Sequence, residues 1–101
     1  MSDEKIIVKI DPDLEELIPG FLTNRAADLA TLRDALAAEN YPSLQSLGHS
    51  LKGVGGGYGF TGMSEIGAAI ETAAKQQNLE ELKGLVEQYG NYLASVEVVF
   101  E

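Results

Sequence analysis

The stretch Leu47–Phe60, LGHSLKGVGGGYGF, contains the only histidine of the chain, His49, and six of its eleven glycines. Its surroundings read as helices, so the poorest helix formers are crowded beside the one imidazole. At about 100° per residue, Leu44, Leu47, Leu51, Val54 and Tyr58 fall within about 80° of one another and define a buried seam. His49 lies roughly 170° from the centre of that seam and so faces solvent. Gln45, Lys52, Gly53 and Gly56 fall within about 60° of it, the places of its i−4, i+3, i+4 and i+7 neighbours. A glycine in a helix interior costs about 1 kcal/mol relative to alanine. On an exposed face it returns no packing, only an absence of side chains around the imidazole, through which a second macromolecule can approach. Gly48, Gly55 and Gly59 turn to the sides, where close approach of neighbouring helices is the expected role.

Working outward, Pro42 opens this helix after the turn ENYP. Before it, Leu22, Ala26, Leu29, Leu32 and Leu36 recur at steps of three and four, which predicts a long amphipathic helix from Phe21 to about Glu39. Pro19 and Gly20 predict a break. Ahead of them DPDLEELI predicts a short helix with Asp11 as N-cap and Pro12 at its first position. Ile6, Val8 and Ile10 alternate in an extended arm, which as a lone strand cannot make a sheet. On the C-terminal side a helix is expected from about Thr61 to Gln76, with Met63, Ile66, Ile70 and Ala73 inward. A last helix starts at NLEE, where Asn78 and Glu81 resemble a capping box. Its apolar stripe is Leu82, Val86, Tyr89, Leu93 and Val96. The connections are short, so the expected fold is all-α: an antiparallel up-down four-helix bundle with a short extra N-terminal helix and an extended arm, 1–10 arm and 11–101 helical body, in one domain.

Composition narrows the function. The chain has 101 residues, 45% hydrophobic and 23% charged, an ordinary globular balance. Seven basic against 16 acidic residues give a formal charge of −9, which opposes binding to nucleic acid or to an anionic membrane and favours a protein partner. Without cysteine there is no thiolate metal site, and a cytoplasmic, reducing location is expected. One histidine excludes a two-histidine zinc motif. No apolar run approaches the roughly 20 residues of a membrane span, and MSDEKIIVKI lacks the n- and h-regions of a signal peptide. No P-loop or nucleotide-binding glycine motif is present; GVGGG lies within a helix and lacks the strand-to-helix turn of a phosphate cradle.

The run His49-Ser50-Leu51-Lys52-Gly53, followed by a glycine-rich turn, YGF and a further helix, resembles the signature of histidine-containing phosphotransfer (HPt) domains. The resemblance extends from DPDLEEL through the final helix. It implies a carrier in two-component signalling: His49 accepts a phosphoryl group from a receiver-domain phosphoaspartate and passes it to another receiver. It also implies Lys52 offsetting the phosphoryl charge, and Gln45, Ser46, Gly53 and Gly56 facing the partner. The partners would be response-regulator receivers, with a hybrid histidine kinase as a further candidate, and the domain would act as a monomer. It would hold no cofactor or metal; the receiver brings the metal and the remaining catalytic groups. Free imidazole titrates at about 6.5, so an exposed ring offers a nitrogen lone pair at neutral pH. Two other readings are a non-catalytic receiver-docking adaptor and a structural helical module whose glycine face receives a partner helix.

Overall fold

The computed structural model describes residues 5–101. The first four residues of the expected arm lie outside that range. Strand β1 (Ile6–Ile10) leads into a 3-10 helix (Pro12–Leu17), then α1 (Ile18–Ala37), α2 (Tyr41–Tyr58), α3 (Thr61–Lys75), α4 (Leu79–Ser95) and strand β2 (Val96–Phe100). The chain is therefore mostly helical and built on four helices.

One local solution joins the helices. Each connecting turn has a residue in the left-handed region, Glu39 (φ 52°), Gly59 (φ 90°) and Gln77 (φ 53°). The next residue's N–H reaches back to a carbonyl in the last turn: Asn40 to Ala35 at 2.9 Å, Phe60 to Gly55 at 2.7 Å, Asn78 to Ala73 at 2.9 Å. This is the Schellman closure of a helix. Asn40 and Asn78 then turn into N-caps, each side-chain oxygen accepting from the backbone N–H three residues on, that of Ser43 or Glu81, at 3.2 Å. The Glu81 carboxylate returns to the Asn78 side-chain amide at 3.1 Å rather than to its backbone, a variant of the expected box.

The core is formed by buried Phe21, Leu32, Leu44, Leu51, Phe60, Met63, Ile66, Ile70, Leu82, Val86 and Tyr89, among others. At one end Phe21 stacks on Tyr58, with centroids 4.3 Å apart, and on Phe60 at 5.0 Å. The Arg25 guanidinium lies over the same ring and pairs with Asp28 at 2.7 Å.

Several expectations are corrected. The segment after Asp11 is a 3-10 helix running directly into α1 at Ile18, with no break at Pro19 and Gly20. Pro19 sits in the first turn of α1, where its missing N–H has no intrahelical partner to lose. Ala26 is exposed, and the inner face of α1 is carried by Ile18, Phe21, Leu32 and Ala35. The last helix ends at Ser95, so Val96 belongs to a strand and not to a helical stripe. That strand gives the arm a partner: β1 and β2 pair in parallel, Ile6 opposite Val96 through Ile10 opposite Phe100. Lys5–Glu97 (3.1 Å) and Lys9–Glu101 (3.7 Å) ion pairs link the two segments.

Candidate functional site

Three glycines set the distance between α2 and α3. A Cβ added to Gly48 would lie 2.6 Å from the Glu71 backbone nitrogen and 2.8 Å from the Gly67 carbonyl oxygen. One added to Gly67 would lie 2.5 Å from the Lys52 nitrogen and 2.8 Å from the Gly48 carbonyl oxygen, and one on Gly55 would lie 2.7 Å from the Ser64 nitrogen. These distances are shorter than any carbon can tolerate against backbone, so the helices meet nearly backbone to backbone. Positions 48 and 55 of α2 face 67–71 and 63–64 of α3, so the two helices run antiparallel. Ser64 Oγ donates to the Lys52 carbonyl at 2.8 Å across the same seam.

The buried face of α2 is accordingly Leu44, Gly48, Leu51 and Gly55, with Leu47, Val54 and Tyr58 half-buried at its edge. The expected seam is thus rotated toward the glycines. Close approach at Gly48 and Gly55 is as expected. Gly59 serves chiefly as the left-handed cap, although its position also abuts Ile10.

His49 stands next to the crossing with its side chain 73% exposed. Lys52, Gly53, Gly56 and Ser46 are exposed and Gln45 is half-buried. A Cβ at Gly53 or Gly57 would meet nothing within 4 Å, and one at Gly56 would meet only Ser64 Oγ at 3.5 Å. The cleared face read from the helical wheel is present, and the helix stays regular through the glycine run to Tyr58.

A residue not anticipated from the sequence completes the arrangement. Glu71, on α3 and 17% exposed, places Oε2 3.1 Å from His49 Nδ1, and the same oxygen is 4.0 Å from Lys75 Nζ. The signal lay in the glycines: once Gly48 packs on Gly67, the residue one turn beyond Gly67 must meet the neighbour of Gly48. The pairing of Gly48 with Gly67 is a tertiary fact, so helical periodicity alone does not supply it. When Nδ1–H donates to the Glu71 carboxylate, the tautomer is fixed and Nε2 keeps its lone pair. Among the described residues no group of three or more His, Asp or Glu side chains is placed to hold a metal ion.

An exposed nucleophilic nitrogen on a flat, cleared helix face suits transfer between proteins better than chemistry in an enclosed pocket. The family model for the Hpt domain matches residues 16–98, and the chain belongs to that family. Hpt domains carry phosphoryl groups in histidine-containing phosphotransfer and act with receiver domains and kinases, rather than as enzymes with a catalytic site of their own. Neither the curated proteins nor the solved structures yield a match to this chain. Among the described residues no helix is long and apolar enough to cross a membrane.

Proposed function

We propose that His49 is the phosphoryl acceptor, taking the group from a receiver phosphoaspartate and delivering it to a second receiver. The observation that carries this reading is the exposed imidazole whose Nδ1 faces the Glu71 carboxylate. In the forward step the Nε2 lone pair forms the N–P bond as the P–O bond to the aspartyl carboxylate breaks, and the carboxylate leaves with that electron pair. The ring becomes cationic while Nδ1 keeps its proton, and the Glu71 carboxylate stabilises the charge across a charge-assisted hydrogen bond. The reverse step, onto a new carboxylate, returns the neutral ring.

Lys52, one turn beyond His49 and exposed, offsets the charge of the arriving phosphoryl group. Gln45, Ser46, Gly53 and Gly56 form the surface against which the receiver seats, and the receiver supplies the metal ion and the remaining transition-state stabilisation. An up-down bundle is supported by Phe21 early in α1 meeting Tyr58 late in α2 and by Gly62 early in α3 abutting Tyr92 late in α4. A monomer in a reducing, cytoplasmic setting accords with the charge of −9 and the lack of cysteine.

The test is incubation with a panel of phosphorylated receivers followed by intact-mass measurement. The expected product is one acid-labile, base-stable phosphoryl group, absent from His49→Gln although its helical circular dichroism is unchanged. An acid-stable adduct, or uptake by His49→Gln, refutes the assignment. No uptake from any receiver favours the docking adaptor.

A further inference from the structure

The two strands of the sheet are covered unequally. On β1 the inward side chains Val8 and Ile10 are 8% and 2% exposed, sealed against the core. On β2 their counterparts Val98 and Phe100 are only half-buried, as is Val96 on the same side of the strand. They form one wall of a groove of about 690 Å³ whose other wall is Ile18, Pro19 and Leu22 at the start of α1. Its polar rim is acidic, formed by the exposed carboxylates Glu15 and Glu16. The groove shares no residue with the face around His49.

The same place offers hydrogen-bonding groups. The sheet has two strands in the order β1–β2, so among the described residues the edge of β2 away from β1 has no strand partner. A free edge carries unpaired N–H and C=O groups that template a further strand.

We propose that the groove is a strand-addition site for an extended segment of a partner protein, apolar at alternate positions and carrying Lys or Arg beside them. Pairing with the five residues of β2 satisfies its edge. The period-2 geometry then directs every second side chain into the gap between β2 and α1, where an apolar residue is required. The basic residues meet Glu15 and Glu16, and a carboxylate-bearing segment is repelled at the same rim. The site is thus an anchor for a partner that is engaged independently of the transfer face.

A fluorescein-labelled heptapeptide of alternating lysine and valine tests this on the intact chain by anisotropy and by backbone amide shifts. Saturable binding with shifts confined to Val96–Phe100 and the start of α1 is expected. Glu15→Lys with Glu16→Lys should weaken it roughly tenfold, while phosphoryl uptake at His49 stays at the parent level. A peptide of the same charge, N-methylated at alternate residues so that it cannot pair with an edge, should lose binding by a similar factor. That control separates strand addition from nonspecific attraction of a cationic peptide to an acidic protein. Equal binding of the methylated peptide, indifference to the two lysine substitutions, or no binding at all overturns the proposal. So does a dimer in sedimentation that Leu22→Arg abolishes, which would make a second copy of the chain the occupant.

Discussion

The two faces of α2 use the same residue for opposite ends. Toward α3, Gly48 and Gly55 stand where a Cβ would be 2.6 Å and 2.7 Å from backbone atoms, so glycine there is a condition of packing. Toward solvent, Gly53 and Gly57 have nothing within 4 Å of an added Cβ, so glycine there stabilises nothing and leaves the approach to His49 clear. The difference separates two costs that look alike in a sequence. Both sets forgo helix propensity, but only the buried set recovers it, through contact between helices.

Substitution at Gly48 should break the comparison most visibly. Gly48→Ala gains helix propensity, yet its methyl group meets the backbone of Glu71 and Gly67. The overpacking should win and lower stability by about 2–3 kcal/mol in urea unfolding. It should also part His49 from Glu71, because the crossing itself holds that pair together. Gly53→Glu sharpens the comparison from the other side. Its stability should equal or exceed the parent's, while the added bulk and negative charge beside the imidazole slow single-turnover transfer roughly tenfold, equivalent to about 1.4 kcal/mol. Gly53→Ala should show the propensity gain alone, about 0.5–1 kcal/mol of added stability with little loss of transfer. Normal transfer by Gly53→Glu would mean that the exposed glycines do not serve receiver approach.

A smaller effect lies away from α2 and checks that stability changes elsewhere leave the exposed face untouched. Burial pushes the Tyr89 hydroxyl well above the ordinary tyrosine range, with the Asp28 carboxylate adding to the shift and Arg25 opposing it. The folded state therefore holds this proton longer than the unfolded chain does. Its contribution is fully present below the unfolded pKa of about 10 and is lost as pH rises beyond that toward the folded value. Tyr89→Phe should flatten this alkaline loss. At neutral pH it should cost about 1 kcal/mol for the hydrogen bond that the hydroxyl donates to the Arg25 carbonyl at 3.3 Å. Transfer from His49 should not change.

Much of the fold was legible because the helices announce themselves locally. Met63, Ile66, Ile70 and Ala73 lie inward as their spacing requires, and Asn78 caps α4. The exposure of His49 followed from one wheel. What periodicity misses is what depends on a distant partner. Val96 falls three residues after Leu93, so a helical stripe ran on through it. The β-branched alternation of Val96–Phe100 becomes a strand only because Ile6–Ile10 lies alongside. Glu71 escaped for a similar reason, since its meeting with His49 follows from the packing of Gly48 on Gly67, and periodicity within either helix does not contain that.

The parallel pairing of β1 with β2 also bears on the order in which the molecule assembles. Lys5 and Glu97 are 92 residues apart in the chain, and closing a loop of that length in an unfolded chain costs about 4 kcal/mol of entropy. The rungs must meet that cost all at once, whereas turns between adjacent helices close over only a few residues. The clasp is therefore expected to zip after the helices have folded the intervening chain back on itself, and to open before they part. Substitutions in the strands should quicken unfolding while leaving the folding rate unmoved, so that residence time in the native state, rather than the speed of reaching it, is what the clasp governs.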